Sequence, residues 1–123
     1  SAETALLLRR SLPSDDQPLF QTTLAKQAQA LVMKCNALGV AKFQADEYEA
    51  ATFLLGKALF LTDDNGKTNC FGALEHDRLR LRAASFNNLG CLEKRRGMLD
   101  TALELLFESA EEMVRNERSM LVN

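Results

Sequence analysis

Apolar residues along this chain recur at helical spacing. Between residues 21 and 45, Leu24, Ala28, Leu31, Cys35 and Leu38 follow one another at three- and four-residue steps, which predicts one long helix. Asp46-Glu47 marks a turn, and Tyr48, Ala51, Leu55 and Ala58 then predict a second helix over 48–61. The polar, glycine-containing stretch from Thr62 to Gly72 reads as a loop. A third helix is expected from near Ala73 to Arg96, stopped by Gly97, where a left-handed residue ends a helix without strain. A fourth is expected from Met98 to Met120, since no breaker interrupts it. Residues 1–12 read as a short helix, ended by the run from Pro13 to Pro18. No stretch alternates with the two-residue period of a strand.

The expected fold is therefore all-α, two long antiparallel helical hairpins. The division is an N-terminal segment and linker at 1–20, a first hairpin at 21–62, a loop at 63–72, and a second hairpin with an extended C-terminal helix at 73–123.

The two hairpins repeat each other. Leu38-Gly39 and Leu89-Gly90 stand 51 residues apart, as do Tyr48 and Leu99, Ala51 and Ala102, Leu55 and Leu106, Ala58 and Ser109, and the turn residues Asp46 and Gly97. Small residues at the crossing let two helices approach closely. Gly39 is expected to face Ala51, and Gly90 to face Ala102, with Leu38, Leu55, Leu89 and Leu106 filling the sides.

The units Cys35-x-x-Leu38-Gly39 with Ala51-x-x-x-Leu55, and Phe86-x-x-Leu89-Gly90 with Ala102-x-x-x-Leu106, resemble the tetratricopeptide repeat, a helix–turn–helix unit that stacks into an α-solenoid. The resemblance covers about residues 28–62 and 80–115. The usual tyrosine is replaced by Lys42 and Glu93, the closing proline is missing, and the spacing exceeds the roughly 34-residue period of that repeat. Elongated units of this kind occur in kinesin light chains and related scaffolds, whose Asn-Asn-Leu-Ala runs Asn87-Asn88-Leu89-Gly90 resembles.

That resemblance implies a concave groove lined by the first helix of each hairpin. The stripe beside the core would supply Met33, Asn36, Val40 and Phe43 from the first unit. From the second it would supply Ala84, Asn87, Asn88, Cys91, Lys94 and Arg95. Asn36 and Asn87 are equivalent, and an asparagine amide both donates to and accepts from a peptide backbone. The function expected is a protein-interaction module, a scaffold or adaptor that binds a peptide segment. The alternative is a self-associating segment of a larger cytoskeletal or scaffold protein, a homodimer burying its end faces. Lys94, Arg95 and Arg96 either complement the end of their helix or form a basic rim for an acidic peptide. Arg78, Arg80 and Arg82 either form a second basic patch or, following Glu75 and Asp77, pair with them along the helix, which the spacing favours. The run Asp15-Asp16-Gln17-Pro18-Leu19-Phe20 could fill the molecule's own groove as a tethered blocker. The lysine and asparagine that hold a C-terminal carboxylate in co-chaperone repeats are not matched, because Asn36, Val40, Asn87 and Cys91 stand there.

Composition narrows the chemistry. The 123 residues are 46% apolar and 26% charged, with a formal charge of −2, which announces neither a nucleic-acid nor a membrane partner. No apolar run is long enough to span a bilayer and no secretory signal is visible. The chain begins at Ser1 without a methionine and reads as processed or excised from something longer. Three cysteines, Cys35, Cys70 and Cys91, suggest free thiols in a reducing compartment, the cytoplasm, with a cytoskeletal association implied by the resemblance. A calcium loop at Asp63–Gly66 fails, since Leu61 and Gly72 would occupy ligand positions. Cys70 and the only histidine, His76, give at most two zinc ligands. No metal, cofactor or enzymatic activity is expected.

Overall fold

Four helices carry the fold in a computed structural model that describes residues 16–63, 70–72 and 74–122. They are α1 (Gln17–Gln44), α2 (Tyr48–Leu61), α3 (Glu75–Arg95) and α4 (Leu99–Val122). The described residues contain no strand. The short helix expected over 1–12 and most of the 62–72 loop lie outside the described residues. Helix α1 begins at Gln17, earlier than expected. Pro18 falls in the first turn, where its missing N–H has no helical partner to lose.

The two hairpin turns agree bond for bond. The Glu47 amide donates to the Lys42 carbonyl at 2.9 Å, and 51 residues on Met98 donates to Glu93 at 2.8 Å. Asp46 donates to Phe43 and Gly97 to Lys94, both at 3.0 Å. Asp46 and Gly97 both take positive φ, 63° and 82°, so each helix ends in the same left-handed cap. Asp46 accepts the strain of a side chain there, and its carboxylate receives the Tyr48 hydroxyl at 3.1 Å and Arg95 at 3.4 Å.

Helix α3 is the centre of the molecule. It packs on α1, α2 and α4, whereas α4 meets α3 alone among the described helices. One core cluster joins Val32 and Cys35 of α1, Ala58 and Leu61 of α2, Cys70 and Phe71 of the loop, and Leu81 of α3. A second joins Phe43, Ala51 and Leu55 to Leu89 and Leu92. Burying such side chains contributes roughly 1.5–3 kcal/mol each.

The close approach within each hairpin is made by glycine against leucine. A Cβ built on Gly39 would lie 2.7 Å from Leu55 Cγ and 2.8 Å from its Cδ2, with Leu55 supplying its three nearest atoms. A Cβ on Gly90 would meet Leu106 Cδ2 at 2.9 Å and the Ala102 carbonyl oxygen at 3.4 Å. Leu31 and Leu38, expected on the core stripe of α1, are 38% and 42% exposed and do not fill the core; Leu89, the equivalent of Leu38, is 9% exposed and does.

Helix α2 has no basic residue in its last turn, and α3 supplies the missing charge. Arg82 donates to the Leu59 carbonyl and Arg78 to the Thr62 carbonyl, both at 2.8 Å. Arg82 also lies 3.6 Å from buried Glu112 and stacks over Phe86, tying α2, α3 and α4 together.

Candidate functional site: a helix seat on the second hairpin

The interface between the hairpins is a polar chain set into an apolar contact. Asn36 of α1 is 8% exposed and donates to the Ser85 hydroxyl at 2.9 Å and to the Val32 carbonyl at 3.2 Å. Its amide oxygen receives Asn88 at 2.9 Å. Toward the start of α3, Gln29 donates to Asp77 at 3.3 Å. Helix α3 thus sits in a seat formed by Gln29, Val32, Asn36 and Phe43 of α1 and by Leu55, Leu59 and Thr62 of α2.

This corrects the expected groove in the first unit. Asn36 and Phe43 are buried and Val40 is half-buried, because α3 covers that stripe; they offer nothing to a peptide. Met33 stays 52% exposed, outside the α3 contact. Asn88 is half-buried and committed to Asn36. The blocker idea is corrected too: residues 17–20 form the first turn of α1, and Leu19 is 72% exposed, while Asp15 lies outside the described residues.

Fifty-one residues on, the same seat is uncovered by any described residue. Asn87, Cys91, Lys94 and Ala84 are exposed on α3. On α4, Leu99, Leu106 and Ala110 are exposed where Tyr48, Leu55 and Leu59 are buried or half-buried. Between the helices lies a groove of about 610 Å³. Its floor is small: Ala83 and Ala84 from α3 and Ser109 from α4. Arg80, Asn87, Asn116 and Glu117 give it polar edges, and Met113 and Met120 give it a pliable apolar wall. Of the residues expected to line a groove, only Ala84 and Asn87 line this one. The repeat pattern does not single out the α4 residues, although Met113 and Met120 stand seven apart and so share a face.

The charges are mostly spoken for. Arg80 pairs with Asp77 at 3.2 Å, Arg96 with Glu93 at 3.2 Å, and Arg78 with Glu75. Arg95 reaches back to Asp46 and to the Gln44 carbonyl, so it ties the two turns together. Hydrogen bonding to the Tyr48 hydroxyl, then to Asp46, pushes its already high pKa further up. A basic rim is thereby reduced to Lys94. The thiols of Cys35 and Cys70 are buried and that of Cys91 is exposed. Burial pushes the Cys35 thiol up, against a smaller opposing pull from Lys57. The described residues hold no cluster of three metal-ligating side chains, and none of their helices is long and apolar enough to cross a membrane.

Comparison of the chain with protein families, curated proteins and solved structures finds no match.

Proposed function

We propose that this chain is a protein–protein interaction module of tetratricopeptide type, a scaffold or adaptor that binds a segment of a protein partner along the groove between α3 and α4. The observation that carries the reading is Asn87. Its equivalent Asn36 is buried against a helix with its amide nitrogen and oxygen both satisfied, and Asn87 presents the same amide on an uncovered surface of the same origin. The small floor at Ala83, Ala84 and Ser109 admits a partner backbone, and the two methionines adapt to its side chains. Recognition is by shape and amide hydrogen bonds, with no bond-making step. With the arginines beside the groove already paired, an acidic partner is favoured only at the Lys94 end.

The exposed thiol of Cys91 lies on this surface and offers the test. A photo-cross-linker on Cys91 is expected to capture a partner, and Ala84→Trp, which fills the floor, is expected to abolish capture. The same probe on a Phe53→Cys, Cys91→Ser chain, on the exposed side of α2, is expected to capture nothing. Equal capture from both positions, or capture unaffected by Ala84→Trp, refutes the groove.

A further inference from the structure

The groove reading leaves its occupant open, and the inference here rests on that reading and names one. The seat filled by α3 and the uncovered groove are one construction displaced by 51 residues, so a helix lying as α3 lies is the occupant the groove is shaped for. On the α3 side of the filled seat, which runs from Asp77 and Arg78 to Leu92, five positions make the central contacts. Leu81 joins Val32 and Ala58, and Leu89 joins Leu55. Arg82 donates to the Leu59 carbonyl, Ser85 accepts from Asn36, and Asn88 donates to Asn36. Fifty-one residues earlier the same positions on α1 are Ala30, Leu31, Lys34, Ala37 and Leu38. All five are exposed. Helix α1 therefore carries, in α3's register, a mostly apolar stripe with no described residue packed on it. We infer that the groove takes the outer face of α1 from a second copy of this chain, joined head to tail.

The two faces change together, which favours a second copy over an unrelated helix. In the first hairpin α2 ends at Leu61, its last carbonyls need donors, and α3 brings Arg82. Helix α4 does not end at the matching place; it runs on to Val122, and Met113 stands where Thr62 stood, 57% exposed. There α1 brings Leu31, 38% exposed, in place of the arginine. A polar contact has become apolar on both sides at once.

The leucine pair is kept: Leu38 falls on Leu106, 37% exposed, as Leu89 falls on Leu55, which is wholly buried. The asparagine pair is not kept, because Ala37 stands where Asn88 stood. Its donor moves one turn along the helix: Lys34 stands in the place of Ser85, and its ammonium takes over the bond to the Asn87 amide oxygen that Asn88 makes to Asn36. Lys26 falls where Asp77 stood, and Arg80, paired with Asp77 of its own helix, stands where Gln29 stood, so the Gln29–Asp77 hydrogen bond has no counterpart there. The contact is heterologous, so each added copy leaves one groove and one α1 face open, and the product is a row and not a closed pair.

Sedimentation velocity of the intact chain at rising concentration is expected to show dimers and then longer rows. Leu38→Asp on the α1 face and Ala84→Trp in the groove both alter exposed residues, and circular dichroism is expected to be unchanged by either. Each alone weakens self-association at least about tenfold, as loss of a central interface contact does. Mixed, they are expected to form a one-to-one heterodimer that grows no further. The Ala84→Trp chain still offers its α1 face, and the Leu38→Asp chain still offers its groove. An intact chain that stays monomeric, or variants that fail to complement each other, overturns the second-copy assignment. The Cys91 cross-linker separates this failure from failure of the groove itself. A monomeric chain that still captures a different protein, and loses it with Ala84→Trp, keeps the groove and removes only the second copy; a monomeric chain that captures nothing removes both.

Discussion

Replacing Gly39 and Gly90 with alanine, one at a time, tests the close approach on which both hairpins depend. The added methyl at position 39 would stand 2.7 Å from Leu55 Cγ and 2.8 Å from its Cδ2. Leu55 is wholly buried, enclosed by Phe43, Ala51, Leu89 and Leu92, and has nowhere to turn. Overpacking of this kind costs about 1–3 kcal/mol, and the upper part of that range applies to an enclosed neighbour. Alanine is the better helix former by about 1 kcal/mol, so the net loss for Gly39→Ala is about 1–2 kcal/mol. At position 90 the new methyl meets Leu106 at 2.9 and 3.0 Å, but Leu106 is 37% exposed and can rotate away from it. The propensity gain then offsets the contact, and Gly90→Ala is expected within about 0.5 kcal/mol of the parent, the range of an uneventful surface change. Urea unfolding followed by circular dichroism measures both, with the midpoint moving at constant slope. Equal losses at the two positions would refute the reasoning, because they would mean that the Leu106 side is as firmly enclosed as the Leu55 side.

The same asymmetry governs the asparagines. Asn36→Ala strips Ser85 and Asn88 of a buried partner and is expected to cost about 1–3 kcal/mol, while Asn87→Ala is expected to stay within about 0.5 kcal/mol; thermal or urea unfolding that ranks them the other way contradicts the seat. Thiol labelling at neutral pH is expected to modify Cys91 first, with Cys35 and Cys70 reacting only as the chain unfolds. Burial raises the Cys35 pKa and so lowers its reactive thiolate fraction, and peptide mapping by mass spectrometry after brief alkylation reads the order.

The helices are legible in the sequence because their ends are written locally. Asp46 and Gly97 sit at the two left-handed caps, the apolar three- and four-residue steps run between them, and the 51-residue echo is plain in Leu-Gly followed by Ala and Leu. The pattern places the start of α1 too late because Pro18 reads as a breaker, when in the first turn it is an ordinary helix residue. Burial is not legible in the same way. Leu38 and Leu89 occupy one repeat position, as do Asn36 and Asn87, yet one of each pair is covered and the other exposed. What covers a residue is the neighbouring helix, and periodicity along a single helix records its own face, not what lies across from it. For the same reason the stripe expected to line a groove in both units is covered in the first, and in the second only Ala84 and Asn87 of it line one. Glu112 shows the limit most sharply. It stands at the position of Leu61 and is buried, held by Arg82 from the neighbouring helix and by Arg115 on its own, and nothing in the local pattern marks it as interior.

That α4 meets only α3 among the described helices gives the molecule a weak end. In a stack where each layer is held by its neighbours, a terminal layer has lost half of its support. Opening is therefore graded along the chain, with the amide protons of α4 exchanging with solvent ahead of those of α3, which is clasped on three sides. On the proposed reading, a helix settling into the groove beside Asn87 restores the missing support and slows that exchange.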